Sequence, residues 1–319
     1  MERSSAIRAF FIYISLGNPK LMLTRRALLW ISALGLLLPA TLLSAEINTT
    51  KSLSVAVVQF RSTRDISKNV AQIKTHIKQS ATNGARVVLF PECALSGYFE
   101  EVITNLTAGQ LAQAEMEVRE TCRESGIYAI VGTPTLASGK FYNSALVISP
   151  QGEVIERYHK IQLAERWPEP GDHLSVFKID GVPCSALICH DERYPELVRL
   201  PVLAGARVIF YLSHESGLLE EQKLNPYRAQ IQARAVENTV YIVHANAPAN
   251  KDGSGSHGQS SIISPDGNVL KEAAMFTEET VSATLDYSKA TGANAKQSMT
   301  RGPLQDWWKA GLPRVRVID

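Results

Sequence analysis

The chain has 319 residues, of which 45% are hydrophobic and 20% are charged, and its formal net charge is +2 at pH 7. This is the composition of a globular protein, and it excludes disordered, collagen-like and acidic-tail chains. A charge so close to neutral gives no electrostatic basis for binding nucleic acid. Four cysteines are too few for a disulfide scaffold, so individual thiols become candidates for reactivity. They are Cys93, Cys122, Cys184 and Cys189.

The positive charge is concentrated in residues 1–45, which hold five basic residues and one acidic residue, a net charge of +4 that leaves −2 for residues 46–319. Within this segment, Arg25 and Arg26 precede an uncharged, Leu-rich run over residues 27–45. A basic region followed by an apolar region that ends in small residues is typical of a secretory signal peptide. The arginine pair also resembles a twin-arginine export signal.

This interpretation has three alternatives, of which a buried helix is disfavoured because nothing amphipathic or capped surrounds the run. The apolar run is close to the minimum length of a membrane span, so an uncleaved anchor would tether the protein to a membrane. Met22 is an alternative start, because residues 1–21 add only a weakly apolar patch that a signal does not need. We expect an exported protein, periplasmic or extracellular, whose mature chain begins near Glu46. N-terminal sequencing of the protein from its native host tests this expectation.

Strand and helix patterns alternate from residue 51 onward. An apolar strand is predicted over residues 53–60, and Asp65 is the expected N-cap of a helix that ends at Gly84. The next elements are a strand, a helix and a strand, over residues 86–90, 111–125 and 127–133. This order predicts a layered α/β core.

The second half of the sequence resembles the first. Residues 84–90 (GARVVLF) return as residues 205–211 (GARVIFY), and residues 143–152 (NSALVISPQG) return as residues 259–267 (QSSIISPDG). Each Ser-Pro-x-Gly is a tight turn between strands. Coincidence among common strand residues is the weaker explanation, because the two matches occur in the same order. We therefore expect two α/β halves, each contributing one sheet to a sandwich with helices outside.

Two charged residues directly follow predicted strands. Glu92 comes after the strand over residues 86–90, where an apolar sheet should desolvate its carboxylate and raise its pKa toward that of a general base. Lys160 follows a strand over residues 153–158. If each residue is considered singly, the ordinary interpretation is different: Glu92 would be an exposed loop residue and Lys160 a surface residue.

Cys189 is the sharpest single feature. An apolar strand over residues 182–188 ends at this cysteine, and an abrupt polar turn leads from it into a helix over residues 197–203. A thiol at such a turn can face a cleft, and we expect the N–H groups of the following helix to lower its pKa and to bind developing negative charge. Cys122 and Cys184 lie inside apolar patterns and fit small buried hydrophobes instead.

Together these segments resemble the nitrilase (carbon-nitrogen hydrolase) superfamily over residues 53–287. Each motif is weak alone, but five in the family's order are specific. The motifs are Phe90-Pro91-Glu92, His159-Lys160, Ile188-Cys189-His190-Asp191 with Arg193-Tyr194-Pro195-Glu196, residues 233–238 (ARAVEN) and residues 258–267 (GQSSIISPDG).

The resemblance implies a four-layer αββα sandwich of the nitrilase type that assembles into homodimers or larger homo-oligomers and uses no metal or organic cofactor. It covers one domain over residues 46–319, with a C-terminal extension after about residue 288. Carried over by position, Glu92 would be the general base, Lys160 would stabilise the oxyanion and Cys189 would be the nucleophile. A further family glutamate on the loop before a Pro-Gly-Asp turn corresponds to Glu165, with Glu169 nearby.

The implied reaction is hydrolysis of a non-peptide carbon-nitrogen bond, in a small amide or ureido (N-carbamoyl) substrate, through a cysteine thioester. True nitrilases usually have Trp-Glu where this chain has His190-Asp191, which disfavours nitrile hydrolysis. Acyl transfer to an amine is a further alternative. A binding module that has lost activity is disfavoured, because the Glu, Lys and Cys are all present.

Substrate-binding candidates follow from the same comparison. Arg193 matches an arginine that can face a substrate carboxylate, although pairing with Glu196 or Glu237 is an equal alternative. His190 and His214, with the neighbouring Glu215, are further candidates for the pocket. No metal site is expected, because the histidines of the sequence lack ligand spacing.

Overall fold

A computed structural model describes residues 51–215, 224–248, 256–300 and 305–318. These residues belong to one compact unit, which spans Thr49–Asp319. The predicted signal segment over residues 1–45 lies outside the described residues. Within the described ranges, none of the helices combines the length and apolar character needed to cross a bilayer.

The first sheet has six strands in the spatial order β12-β1-β2-β3-β4-β5. Strands β1, β2 and β3 run parallel, and β4, β5 and β12 pair antiparallel to their neighbours. The strands are β1 (Ser52–Gln59), β2 (Val87–Leu89), β3 (Tyr128–Ala137), β4 (Lys140–Ile148), β5 (Val154–His159) and β12 (Glu279–Asp286).

The second sheet has seven strands in the order β11-β10-β9-β8-β7-β6-β13. Strands β7, β8 and β9 are parallel, and β10 and β11 continue antiparallel from β9. The strands are β6 (Leu174–Ile179), β7 (Val182–Ile188), β8 (Val208–Ser213), β9 (Tyr241–Asn246), β10 (Ser261–Ile263), β11 (Val269–Glu272) and β13 (Val315–Val317).

The predicted repeat is confirmed by this topology. In both sheets three parallel strands are followed by an antiparallel hairpin, so that β1 to β5 correspond to β7 to β11. The repeated residues 84–90 and 205–211 lead into β2 and β8, the central strands of the two parallel sets. The C-terminal extension takes part in the fold, because β13 pairs in parallel with β6 at the edge of the second sheet.

Seven α-helices and three short 3-10 helices are present in the described residues. Asp65 caps α1 as predicted, by accepting hydrogen bonds from the N–H groups of Ser67 and Lys68. Helix α3 begins earlier than expected because Thr107 and Gln110 form a capping box. The α-helices are α1 (Ile66–Thr82), α2 (Glu100–Ile103), α3 (Ala108–Ser125), α4 (Pro195–Leu203), α5 (Leu224–Asn238), α6 (Ala293–Thr300) and α7 (Gln305–Gly311), and the 3-10 helices are Cys189–Arg193, Tyr287–Lys289 and Leu312–Arg314.

The core lies in layers because the parallel strands are apolar on both faces. Successive residues of β1 alternate, so Val55 and Val57 join the cluster that fills the space between the two sheets, whereas Ala56 and Val58 pack with α1 and α3. Residues of α4 and α5 pack with the second sheet. The result is the four-layer αββα sandwich expected from the sequence, and it brings the ends of β2, β5 and β7 into one region.

Candidate active site

The three residues at the strand ends lie in one buried region. Glu92 follows β2, Lys160 directly follows β5, and Cys189 directly follows β7. The Nζ of Lys160 donates a hydrogen bond to Oε1 of Glu92 at 2.8 Å. The charges of Glu92 and Lys160 both act on the thiol of Cys189. The structure therefore brings together residues that lie up to 97 positions apart in the sequence.

Glu92 is only 1% exposed, so it is not the solvated loop residue that its position alone would suggest. Its Oε1 accepts from Asn143 Nδ2 at 2.7 Å as well as from Lys160, and its Oε2 accepts from the backbone N–H of His214 at 2.9 Å. Burial, assisted by the nearby charge of Glu165, raises the pKa of Glu92 to about 8 against the opposing charge of Lys160. The predicted rise in pKa is confirmed, and it suits a base that works near neutral pH.

Close backbone packing holds the Glu92 turn against β3. A Cβ atom at Gly132 would lie 2.3 Å from the carbonyl oxygen of Pro91 and 2.7 Å from the Cα of Glu92. Such distances are shorter than any non-bonded carbon contact, so only glycine fits at this position of β3. No sequence pattern indicates this requirement, because Gly132 lies inside an apolar strand pattern.

Lys160 is fully buried, which excludes the surface-lysine interpretation. Its Nζ donates to Glu92 and, at 2.6 Å, to Oε1 of Glu165. Burial alone would lower the pKa of Lys160, but the negative charges of neighbouring acids, chiefly Glu92 and Glu165, outweigh burial and raise it well above its ordinary value. The ammonium group thus stays charged between two carboxylates.

Glu165 completes this network, whereas Glu169 lies at the surface, where it pairs with Lys140 at 3.5 Å. The hydroxyl of Tyr98 donates to Oε1 of Glu165 at 2.6 Å, and the backbone N–H of Ala164 donates to Oε2 at 3.0 Å. Burial opposes ionisation of Glu165, but the charge of Lys160 and these hydrogen bonds outweigh it and lower the pKa to about 2. Glu165 is therefore a permanent anion beside Lys160 at neutral pH.

Cys189 begins the 3-10 helix with a φ of +43°, in the left-handed region that non-glycine residues rarely adopt. The expected lowering of its pKa is wrong. Burial and the negative charge of Glu92 raise the pKa of the Cys189 thiol well above its ordinary value, and the opposing charge of Lys160 is too weak to reverse this. The resting group is a thiol, so a base must take its proton before it can attack. Cys122 and Cys184 are buried in the apolar core, as expected.

Two residues of the network were missed by the sequence analysis. Asn143 in β4 donates to Glu92 and, at 3.4 Å, to Oε1 of Glu165, and so links the two carboxylates. Tyr98 donates to Glu165 and stacks on the ring of His214, with centroids 4.4 Å apart and planes 8° apart. Asn143 stood inside the quoted repeat and Tyr98 lies six residues after Glu92, but a single polar residue at such a position carries no signal of its own.

The three substrate-binding candidates lie around this network in different ways. His214 contacts it directly, through its backbone N–H to Glu92 and its ring on Tyr98. His190 is half-buried and its ring meets that of Tyr194 edge to face. Arg193 is exposed, and its guanidinium lies over the ring of Tyr227, 4.9 Å from the centroid.

The acidic residues named with Arg193 and His214 in the sequence form other contacts. Glu237, one of the alternative partners of Arg193, forms its ion pair with Arg234 at 3.1 Å. Glu215 is buried and hydrogen-bonds to His257, so it points away from the Glu92 network into a second polar cluster.

The fold and the sequence together define the class of protein to which the chain belongs. Residues 54–295 match the carbon-nitrogen hydrolase family. The chain belongs to this family, and it is an amidase-like hydrolase that acts on carbon-nitrogen bonds other than peptide bonds.

Individual relatives agree with this assignment. The chain is 30% identical to omega-amidase NIT2-B of Xenopus laevis over 251 residues, which cover 73% of this chain and 88% of the relative. It is 33% identical to a nitrilase of Pyrococcus abyssi over 231 residues, which cover 69% of this chain and 84% of the relative. A 2-oxoglutaramate amidase of Bacillus subtilis is 27% identical over 230 residues, which cover 70% of this chain and 86% of that relative.

A solved structure shares the same architecture. A mutant of the amidase from Nesterenkonia sp. AN1, in which acrylamide has added to the active-site cysteine, superposes with a TM-score of 0.68 at 25% identity, covering 77% of this chain and 99% of that one.

Proposed function

We propose that this protein hydrolyses a small amide or N-carbamoyl compound through a thioester on Cys189, with Glu92 as the base and Lys160 as the oxyanion-stabilising cation. The observation that carries the proposal is the hydrogen-bonded Glu92–Lys160–Glu165 network beside the Cys189 thiol. The network combines a carboxyl group poised to exchange a proton with a cation that remains charged.

In the first step, Glu92 takes the proton of the Cys189 thiol while the sulfur attacks the substrate carbon. A carbon-sulfur bond forms, and the electrons of the carbonyl double bond move to oxygen. Lys160 and the backbone N–H of His190 then stabilise the oxyanion. The high pKa of the Cys189 thiol makes this proton transfer essential, and the raised pKa of Glu92 makes it feasible.

In the second step the oxyanion collapses and the carbon-nitrogen bond breaks. Glu92 returns its proton to the departing nitrogen, which leaves as ammonia or an amine, and a thioester remains on Cys189. Water then attacks the thioester while Glu92 accepts one of its protons. Collapse of this second intermediate releases the acid and restores the Cys189 thiol.

Glu165 acts in this scheme as a positioning residue. It is held as an anion 2.6 Å from the Nζ of Lys160, so it fixes the direction of the ammonium group and favours its charged form. Without this second anion, proton transfer between Lys160 and Glu92 would leave both groups neutral and remove the oxyanion's cation.

For the substrate, we propose an amide or ureido compound that also carries a carboxylate. Relatives named as an omega-amidase and a 2-oxoglutaramate amidase support this class. Arg193 is the proposed partner of the carboxylate, since it lies four residues after the nucleophile with an exposed guanidinium that Tyr227 orients. A planar guanidinium can donate two parallel hydrogen bonds to a carboxylate.

The test is a panel of dicarboxylic acid monoamides, ureido acids, uncharged amides and nitriles, with ammonia release as the measurement. We expect ammonia from the carboxylated amides or ureido acids and trapping of their acyl group on Cys189 by mass spectrometry. Cys189→Ala should abolish release, whereas Cys122→Ala, which changes a buried core thiol, should retain it. Full activity of Cys189→Ala would contradict the mechanism.

The alternative reactions give different products. A nitrilase, the activity named for the Pyrococcus abyssi relative, would form acid from nitriles without releasing free amide. An acyl transferase would give a hydroxamate in preference to the acid when hydroxylamine is added. Export of the chain and its assembly into homo-oligomers stay predictions from the sequence.

A further inference from the structure

A second group of buried charged residues lies behind Cys189 and has no part in the proposed reaction. Glu192 belongs to the 3-10 helix that begins at Cys189, Glu215 follows β8, and His244 lies in β9. Their exposed fractions are 1%, 4% and 1%. We call these three residues the carboxylate–histidine cluster.

The cluster contains polar atoms that lack partners. Oε2 of Glu192, Oε1 of Glu215 and both ring nitrogens of His244 are buried without a hydrogen-bond partner among the residues that the structure describes. A buried polar atom without a partner destabilises a fold, and native proteins rarely contain several at one place. Four such atoms on three adjoining side chains indicate a binding site for a group that can bond to all of them.

The geometry fits one metal ion. One ligand atom from each of the three side chains lies within 4.8 Å of the others. Nε2 of His244 is 3.6 Å from Oε1 of Glu215, which is too far for a hydrogen bond. Bonds of about 2.0–2.2 Å to a central ion place neighbouring ligands roughly 3.0–3.6 Å apart. The atoms of Glu215 and His244 already have this spacing, and a pair as far apart as 4.8 Å would approach by about 1.2 Å on binding.

The surroundings supply the features expected around a metal site. His257 hydrogen-bonds through Nε2 to the other oxygen of Glu215 and so orients that carboxylate, as residues next to metal ligands commonly do. A small cavity beside the cluster is lined by Glu215, His244 and His257, and the ion pair between Arg228 and Glu272 at 2.7 Å forms another part of its wall.

We propose that Glu192, Glu215 and His244 bind one divalent first-row transition-metal ion, with Zn²⁺ the best match to one imidazole and two carboxylates. The ion compensates the two buried carboxylates and fixes the 3-10 helix that begins at Cys189 to the ends of β8 and β9. It takes no part in the hydrolytic steps, which are complete without it.

The histidines that the sequence presented as scattered do not form this site as a set. His257 lies beside the cluster, whereas the other three candidates have different contacts. His159 hydrogen-bonds to Ser144 at 2.8 Å, His190 meets the ring of Tyr194 and His214 stacks on Tyr98. The ligand set instead uses His244 and two glutamates from three separate elements, a combination with no spacing signature.

The experiment titrates Zn²⁺ into chelator-treated full chain and repeats the titration with Co²⁺, whose visible absorption reports the ligand geometry. Cys189→Ala is the parent protein, so that the active-site thiol cannot bind the ion. We expect one equivalent bound by the parent, loss of binding in Glu192→Gln, Glu215→Gln and His244→Phe, and about 10- to 100-fold weaker binding in His257→Phe.

Glu156→Gln is the matched control. Glu156 is also a buried glutamate whose Oε1 lies 3.6 Å from a histidine nitrogen, Nε2 of His173. The other carboxylate at this histidine, that of Asp172, contacts the opposite ring nitrogen at 2.7 Å and is exposed. This variant should bind Zn²⁺ like the parent. Anomalous scattering at the zinc edge from parent crystals should place the ion between Glu192, Glu215 and His244. This measurement uses only the parent protein, so it tests the proposal even if a ligand variant fails to fold.

Three outcomes would overturn the proposal. The first is a parent that binds no stoichiometric Zn²⁺ or Co²⁺, which would leave a proton shared between Glu192 and Glu215 as the explanation of the cluster. The second is an ion that the anomalous signal places elsewhere. The third is a loss of binding in Glu156→Gln equal to that in the ligand variants.

Discussion

The Glu92 network and the carboxylate–histidine cluster each contain a pair of buried glutamates near Cys189, yet the two pairs differ in how many of their carboxylate oxygens have hydrogen-bond partners. In the network, all four carboxylate oxygens of Glu92 and Glu165 accept hydrogen bonds. In the cluster, one oxygen of Glu192 and one of Glu215 have no partner among the described residues. The network contains a lysine between its acids, and the cluster contains none.

The difference shows what a buried cation does for buried acids. Desolvation penalises both pairs, and only an opposite charge with good geometry compensates it. Lys160 does this inside the chain, so the network is complete without an added group. The cluster has imidazoles but no lysine beside its acids, which is why we place the proposed metal ion there.

Removing the cation from the network should have the largest effect. Lys160→Met leaves two carboxylates buried without their partner, and we expect a loss of about 3–5 kcal/mol in the free energy of unfolding at pH 7 and no measurable turnover. Urea unfolding and ammonia release measure the two effects. The control Lys140→Met breaks only the exposed pair with Glu169, which water screens, and should change stability by less than about 1 kcal/mol.

The pH dependence of this loss of stability follows from the pKa of Glu165. Lys160 helps to hold the pKa of Glu165 at about 2, below the ordinary 4.5, so the associated stability is present above pH 4.5 and disappears as pH falls through 2. The difference in stability between the wild-type protein and Lys160→Met should therefore narrow below about pH 4.5. A constant difference down to pH 2 would contradict the assigned role of Lys160.

Replacing the base should affect the rate with little effect on the fold. Glu92→Gln preserves the shape of the side chain, and we expect kcat to fall by about 10²- to 10⁴-fold. Because Glu92 has a pKa of about 8 and acts in its ionised form, wild-type kcat/KM should rise with pH and level off above about 8. The residual activity of Glu92→Gln should lack this rise. An unchanged pH profile would assign the rise to another group.

A smaller effect is expected from Tyr98→Phe. The change removes one hydrogen bond of 2.6 Å to Glu165 but keeps the ring that stacks on His214. A hydrogen bond to a charged group contributes about 1.5–3 kcal/mol, so kcat should fall by roughly 10- to 100-fold if that contribution is needed in the transition state. Tyr142→Phe is the control, since Tyr142 stacks on His159 in the same way. Equal losses in both variants would show that the hydrogen bond to Glu165 is unimportant.

The smallest effect should come from the cluster in metal-free protein. Glu192→Gln removes an acid that is already incompletely bonded, so we expect a change of less than about 1 kcal/mol in the free energy of unfolding after treatment with chelator. With Zn²⁺ present, the wild-type protein should gain thermal stability as the ion concentration rises, and Glu192→Gln should not. A large destabilisation of metal-free Glu192→Gln would contradict this expectation. It would show that Glu192 is well paired without a metal ion, as Glu92 and Glu165 are.

Much of the fold was predictable because its signals are local. The N-cap Asp65, the apolar strands and the repeat of residues 84–90 at 205–211 depend on neighbouring residues or on order along the chain. The motifs around Glu92, Lys160 and Cys189 likewise occur in a fixed order. The start of α3 was missed by three residues because its capping box adds a turn before the apolar pattern begins.

The contacts of the site were less predictable, since they join distant positions. Asn143 bridges Glu92 and Glu165 only because β4 lies between β3 and β5 in the sheet. The pKa of Cys189 was predicted in the wrong direction because burial and a nearby carboxylate outweigh the dipole of a five-residue 3-10 helix.

The sequence by itself determined the family, the two-sheet sandwich and the residues at the strand ends, because apolar periodicity and motif order are properties of the chain. Tertiary structure alone decided which carboxylates obtain partners. The antiparallel hairpin after β3 carries Lys160 back to Glu92, and the side-by-side pairing of β8 and β9 brings Glu215 and His244 together without a lysine. Burial makes this difference important, because the carboxylates of the first pair are compensated by Lys160, whereas those of the second are where we propose a metal ion.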